Sequence, residues 1–218
     1  MKKVITADQS ETFLNEEYNE SYHSYTGAVE EAMKKYAEPT KIRELAKSGQ
    51  IKILDAFFGM GYNSAMAVSV ALEENPSCVI EVVGLELDPA IVLKIQEVNP
   101  EIPFFKYYKK LNSHNLSFTE GNVSVKILLG DVKETTKELE NEHFDVVFWD
   151  PFSPKTMPDM WSEDLFKEMF RVMKSSGILA TYSCARVVRE NMSQAGLFYD
   201  DGPRVGRRGP GTLAVKWE

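Results

Sequence analysis

Residues 144–152 read Phe-Asp-Val-Val-Phe-Trp-Asp-Pro-Phe, and the fold turns on this stretch. The run 144–149 is short, almost wholly apolar and β-prone, the pattern of a strand buried on both faces. Asp150 then falls at the strand's C-terminal end, where open α/β sheets place their ligands. A carboxylate there can accept a hydrogen bond from an amine, the carbonyl of Pro151 offers a second acceptor, and Phe152 offers a flat apolar face. An amine held by two acceptors keeps its lone pair aimed at an electrophile, as methyl transfer to nitrogen requires. The plain alternative is an aspartate that caps a turn before a proline.

Outward from this strand, apolar runs alternate with helical stretches. Strands are expected at 51–57 (IKILDAF), 79–87 (VIEVVGLEL), 123–129 (VSVKILL) and 177–183 (GILATYS). Helices are expected at 62–74, stopped by Asn75-Pro76, and after Asp88, an N-cap with Pro89 at the first position. Others are expected at 132–139, after Ser162 as cap with Glu163 and Asp164 in the first turn, and at 186–195. Residues 1–26 read as irregular or hairpin-like, 27–36 and 40–46 as helices, 99–122 as a polar excursion and 197–217 as a hairpin. The alternation implies a doubly wound, mostly parallel sheet. A dinucleotide-binding dehydrogenase would continue in further β–α units where this chain turns into a hairpin.

The chain has 218 residues and 24.7 kDa, a length that suits one domain with a sizeable core. No run approaches the ~18 apolar residues of a membrane span. Met1-Lys2-Lys3 is followed by no apolar stretch, so no signal peptide is read and a cytoplasmic location is expected. Cys78 and Cys184 are far apart and read as reduced thiols; His23, His114 and His143 are scattered, with no metal-site spacing. The net charge of −8 argues against bulk nucleic-acid binding. Its distribution is uneven: residues 151–218 hold 10 Lys and Arg against 8 Asp and Glu, so a polyanion would meet the C-terminal part.

The first strand runs into Asp55-Ala56-Phe57-Phe58-Gly59-Met60-Gly61-Tyr62-Asn63, which opens a helix. Glycines there let backbone pass close to a ligand and turn helix N-terminal amides toward it. Glu86 ends the second strand, 25 residues after Gly61, where a carboxylate can bind both hydroxyls of a ribose. Gly130-Asp131 ends the third, where an acid can accept from an adenine amino group. Leu87 and Val132 flank these acids and join Asp55, Phe57 and Asn63 as candidate cofactor residues. Three acids at the ends of three successive strands, with no lysine after the glycine loop, describe an adenosine site without phosphate chemistry. S-adenosylmethionine fits that description better than a nucleotide.

The segment from Asp150 to Trp161, D-P-F-S-P-K-T-M-P-D-M-W, resembles the D-G-F-A-P-x-x-N-P-D-M-W segment of the methyltransferase part of the MnmC family of bifunctional tRNA wobble-uridine modification enzymes. The resemblance runs on through Leu165-Phe166, 177–183, Val187-Val188-Arg189, Ala195-Gly196 and Gly206-Arg207-Arg208. Upstream it takes in Phe58-Gly59-x-Gly61-x-Asn63 and the stretch Tyr22-His23-Ser24, Gly27, Glu30-Glu31. It implies a class I (Rossmann-like) methyltransferase with a seven-stranded, mostly parallel sheet and a C-terminal antiparallel hairpin. Residues 1–50 would form an N-terminal cap and 51–218 the methyltransferase domain. It further implies methylation of 5-aminomethyl-2-thiouridine at the tRNA wobble position to 5-methylaminomethyl-2-thiouridine. No counterpart of the family's FAD-dependent oxidase half is seen, so a separate enzyme would supply the aminomethyl nucleoside. The sequence departs from the family at two points. Phe57 takes the place of the first loop glycine, which demands a φ that a β-carbon tolerates. Pro151 replaces a glycine and makes Asp-Pro-Phe look like the motif of amino-methyltransferases acting on adenine or cytosine.

On this reading Asp150 takes the amine proton or orients the amine, while Tyr22, Ser24, Pro151 and Phe152 contact the substrate base. Trp161 reads as the hydrophobic anchor of the following helix. Arg186, Arg189, Arg204, Arg207 and Arg208 are the candidate contacts to tRNA phosphates. Two other readings are a polyamine aminopropyltransferase, which would need a richer glycine loop and more acids, and a binding module without chemistry.

Overall fold

In chain order the strands are β1 (Lys2–Ile5), β2 (Glu11–Asn15), β3 (Glu20–Ser21), β4 (Gln50–Ala56), β5 (Val79–Glu86) and β6 (Ser117–Glu120). They continue with β7 (Val123–Leu129), β8 (Phe144–Trp149), β9 (Met173–Thr181), β10 (Phe198–Asp201) and β11 (Thr212–Val215). This computed structural model describes residues 1–206 and 209–217. Eight strands form the main sheet in the order β10-β11-β9-β8-β4-β5-β7-β6. The central pairs β7·β5, β5·β4, β4·β8 and β8·β9 are parallel, and β11 runs antiparallel between β9 and β10. The expected mostly parallel sheet and C-terminal antiparallel strands are therefore present.

Among the described residues the main sheet has eight strands where seven were expected. The additional strand, Ser117–Glu120, lies in the polar excursion and pairs antiparallel with β7 at the sheet edge. Only Phe118 in it is buried, so four residues with one inward side chain leave little periodic signal. The N-terminal stretch also gains structure: β1, β2 and β3 form a separate three-stranded antiparallel sheet.

Apolar runs in β4, β5 and β8 arise because both sheet faces are covered. One face buries Ile51, Ile53, Val146 and Phe148 beneath the helices of the N-terminal half, and Phe13, Ala28, Ala32 and Tyr36 belong to that same core. The other buries Leu54, Ala56, Val147 and Trp149 against the helices Glu163–Val172 and Arg186–Gln194. Asp88 caps the helix Pro89–Leu93 as expected, accepting from Ala90 N at 2.8 Å. Ser162 stands at its helix N-terminus but its hydroxyl makes no cap bond; Glu163 and Asp164 alone meet the helix dipole.

Candidate active site

Strand β4 is the switch point of the sheet, because the chain crosses to β5 on one side and β8 lies on the other. Above the strand ends opens a cavity of about 500 Å³, within the range of small-molecule sites. Its walls come from the glycine loop, the acids after β5, β7 and β8, and the N-terminal stretch from Asn15 to Glu31.

The loop after β4 takes left-handed backbone at three residues. Phe57 has φ +63°, so it adopts the conformation a glycine would have given. The edge contact of its ring with Trp149 (centroids 4.9 Å apart) and the bond from Phe58 N to Leu85 O at 2.9 Å hold it there. Gly59 (φ +56°) donates its N–H to Glu86 Oε2 at 2.7 Å. Gly61 (φ +74°) heads the helix Tyr62–Glu74, and a β-carbon there would stand 2.5 Å from Phe58 Cζ.

Glu86 is buried in the cavity wall, and its Oε1 accepts from Asp88 N at 2.8 Å. Burial raises its carboxyl pKa, and the Asp88 and Gly59 amides oppose that. Each oxygen keeps a lone pair for a hydroxyl donor. Asp131 is exposed in the same cavity, and its Oδ1 accepts from Lys133 N at 2.9 Å. Gly130, Val132 and Leu87 line the cavity beside these acids.

Asp55 does not. It is 1% exposed and lies beneath the loop, where its Oδ2 accepts from Ser64 N at 3.1 Å and holds the first turn of the helix Tyr62–Glu74. Burial pushes its carboxyl up to about 7 against the pull of the Ser64 hydrogen bonds. The expected ligand contact is therefore replaced by support from below, because Asp55 is the penultimate residue of β4 and points into the protein.

Asp150 follows β8 and lines the cavity half-buried. Its Oδ2 accepts from Asn63 Nδ2 at 3.0 Å, a partner on another element, which sets it apart from a turn cap. Burial lifts its carboxyl to about 6, Glu31's negative charge adds to this, and the Tyr36 hydroxyl, Asn63 and Lys35 partly offset it. Pro151 carbonyl, the expected second acceptor, already accepts from the Tyr182 hydroxyl at 2.9 Å, which leaves one lone pair. The Phe152 ring is flanked by Tyr22 and Tyr18, each with its centroid 5.2 Å away. Ser24 lines the cavity and donates its N–H to Glu31 Oε2 at 2.9 Å. Trp161 is 1% exposed and donates to Phe152 O at 3.0 Å, the anchoring role expected of it.

Several cavity residues carried no individual sequence signal as site residues. Glu20 accepts from Ser153 N at 2.9 Å and from the Thr156 hydroxyl, which fastens the N-terminal sheet over the 151–157 loop. His23 stacks on Tyr62 with centroids 4.8 Å apart; burial pushes its pKa down to about 4, so it is neutral near pH 7. Glu31, Tyr18 and Tyr182 complete the wall. Among these, His23, Glu31 and Tyr182 stand in stretches that carry the family resemblance, and nothing in those stretches assigns them to the cavity.

Of the candidate phosphate contacts, Arg186 is 91% exposed and pairs with Glu190 at 2.7 Å. Arg189 departs from expectation: its side chain is 18% exposed, bonded to Asp201 at 2.7 Å and to Thr212 Oγ1 at 3.0 Å, and stacked over Tyr199. These contacts spend its donors on the C-terminal strands. Arg204 is exposed, while Arg207 and Arg208 lie outside the described residues.

A doubly wound sheet with an acid-lined adenosine-type cavity at its switch point defines the class I methyltransferase architecture. The profile of a family described as S-adenosyl-L-methionine-dependent methyltransferase matches residues 99–217, and the chain belongs to that family. The crystal structure of MNMC2 from Aquifex aeolicus superposes with a TM-score of 0.88 at 34% identity, over 98% of this chain and 70% of that one. An uncharacterized protein of Methanocaldococcus jannaschii is 31% identical over 98% of this chain and 59% of its own length. The tRNA 5-methylaminomethyl-2-thiouridine biosynthesis bifunctional protein MnmC of Pseudomonas putida is 26% identical over 88% of this chain and 31% of its own. The chain thus spans less than two thirds of both curated relatives.

Members of that family use S-adenosyl-L-methionine, a cofactor that supplies a methyl group activated on a sulfonium. The residues present fit it. Glu86 offers acceptors for ribose hydroxyls, Asp131 an acceptor for the adenine amine, and no lysine stands on the loop to hold phosphates. Asp150 lines the same cavity, near an aromatic cluster suited to a planar acceptor.

Proposed function

We propose that this methyltransferase acts on the primary amine of 5-aminomethyl-2-thiouridine at the tRNA wobble position and gives the 5-methylaminomethyl nucleoside. The observation that carries the reading is the Asp150 corner: one carboxylate in the cavity wall near Phe152, whose ring meets those of Tyr18 and Tyr22 at a tilt. The likeness to the Aquifex and Pseudomonas proteins supports the same substrate class. Asp150 would accept a hydrogen bond from the amine and take its proton, a role suited to a carboxyl that titrates at about 6. Phe152 and Tyr22 would stack on the thiouracil, and Arg186 and Arg204 would meet phosphates.

The test is incubation of tRNA bearing 5-aminomethyl-2-thiouridine with the protein and labelled cofactor, followed by mass spectrometry of the nucleosides. The expected result is one methyl gained on the wobble nucleoside. A second reading, methylation of an exocyclic amine of adenine or cytosine, is favoured by Pro151 in the Asp-Pro-Phe sequence. A methyl found on those bases instead would decide for it.

A further inference from the structure

Beside Asp150 lies a buried ion pair to which the reading above gives no role. The helix Ala28–Glu31 continues as a π-helical segment, Ala32–Ala37, and such wide turns concentrate at functional sites. Glu31, Lys35 and Tyr36 come from this one stretch and are 5%, 3% and 0% exposed. Lys35 Nζ donates to Glu31 Oε1. Glu31 lines the cavity and Lys35 does not, so the carboxylate fronts the ligand space with its ammonium behind it. The Tyr36 hydroxyl, buried and without a hydrogen bond of full geometry, lies close enough to feel both Asp150 and Glu31. A buried pair is a poor source of stability, since desolvation offsets much of its attraction. The alanines around it would pack as well against apolar side chains.

We propose that Glu31 is a positioning residue for the acceptor amine, the second carboxylate of a negative corner shared with Asp150. The proposal rests on the amine-acceptor reading above. In that reaction the amine lone pair forms the new N–C bond, the C–S bonding pair returns to sulfur, and positive charge passes from sulfur to nitrogen. The extra proton on nitrogen then leaves to Asp150 or to water. A carboxylate fixed beforehand at the nitrogen end favours the state in which the charge has moved, at no cost in reorganisation. Burial opposes the charge on Glu31, but the Lys35 ammonium and the Ser24 amide hold its carboxyl below the usual range, and the amide is still there when Lys35 is replaced. The other groups facing Asp150 are Tyr36 on the same helix as Glu31, Asn63 on the helix Tyr62–Glu74 and Asp55 on β4, while the Tyr182 hydroxyl after β9 binds the neighbouring Pro151 carbonyl and acts on Tyr36.

The test uses the sign of two opposite charge deletions, Glu31→Gln and Lys35→Met, in the full chain with tRNA carrying the aminomethyl nucleoside. Loss of Glu31's charge makes Asp150 easier to ionise, so the acid limb of kcat should move to lower pH by about half to one unit. The plateau rate should fall roughly tenfold or more, a share of what a preorganised electrostatic group contributes. Lys35→Met leaves the carboxylate uncompensated and should move the limb to higher pH. Carboxyl-carbon NMR of Asp150 should show the same opposite shifts without turnover, and cofactor affinity should stay constant in both. A purely structural pair would lower the melting temperature of both variants and move the two limbs alike or not at all. That outcome, or a full plateau rate in Glu31→Gln, overturns the proposal. Should a single variant unfold, the double variant Glu31→Gln/Lys35→Met is expected to lose rate as Glu31→Gln does, and full rate overturns the proposal there too. If the wild-type protein leaves the aminomethyl nucleoside unmethylated, the substrate reading fails by itself, while the NMR shifts still report on the pairing of Glu31 with Asp150.

Discussion

Asp150→Asn separates chemistry from architecture, because it should lower activity while raising stability. In the folded protein burial lifts the Asp150 carboxyl from 3.8 to about 6. About two units, at ~1.4 kcal/mol each, set an upper bound of roughly 3 kcal/mol on the cost of holding it ionised. The sign follows from the direction of the shift. A carboxyl raised on folding binds its proton more tightly in the native state, so this penalty is absent below about pH 4 and complete above about pH 6. Asparagine carries no charge, and its oxygen can still accept from Asn63 Nδ2, now 3.0 Å from Asp150. The variant should therefore be more stable near pH 7.5 by about 1–3 kcal/mol, and the gain should vanish toward pH 4. Its kcat should drop ~10²-fold or more, since an amide cannot take a proton and its N–H groups oppose those of the amine. Raising the pH should return part of the rate as neutral amine forms unaided. Methyl transfer from labelled cofactor and thermal unfolding across pH measure the two arms. Full activity at neutral pH would refute the role given to Asp150, and a loss of stability near pH 7.5 would refute the electrostatic argument.

Glu86→Ala should weaken cofactor binding by about 1.5–3 kcal/mol in titration calorimetry, because a charge-assisted acceptor is lost and the Gly59 and Asp88 amides lose theirs. Unchanged affinity would remove Glu86 from the site. Asp55→Asn should flatten the alkaline side of the stability curve. Its carboxyl, raised to about 7, gives a relative stabilisation that is present below about pH 4 and lost as pH rises through about 7. Melting temperatures of wild type and variant that run parallel from pH 5 to pH 9 would contradict the burial argument. Arg204→Ala should weaken tRNA binding and flatten its salt dependence, whereas Arg189→Ala should chiefly lower the melting temperature by freeing Asp201 and Thr212. The opposite pattern would return Arg189 to the tRNA surface.

The fold was legible wherever burial on two faces wrote long apolar runs. Residues 144–149 and 123–129 matched the strands β8 and β7 to the residue, and β4 and β5 lay within a residue of expectation. Legibility ended where one face met solvent. In β10 all four residues are exposed, and β6 buries one of four, so those strands are defined by the ladder partner across from them more than by their own composition. The helix at 27–36 was legible as a helix but its π-winding was not, because the sequence pattern of a wide turn differs little from that of an α-helix.

Within the site the same divide separates residues that end strands from residues that arrive through tertiary packing. Asp150, Glu86 and Asp131 could be placed at the cavity from sequence because an acid at the end of an apolar strand has a fixed address in an open α/β sheet. Asp55 shows the limit of that rule. It lies one residue before the strand's last, and strand alternation turns it inward to Ser64, so one step along a β-strand exchanges a ligand contact for a supporting one. Glu31 and Lys35 show the converse. A helix bearing Glu and Lys four apart ordinarily reads as a solvated surface pair, and only the packing of that helix under Phe148 and Asp150 drives both charges out of water. No local pattern distinguishes the two cases, since the difference resides in which way the helix faces. The acceptor end of the cavity is consequently built by partners distant in sequence. Asn63, Glu31 and Tyr36 fix the setting of a single carboxylate that the strand delivers, and the strand alone would have left it an ordinary acid before a proline.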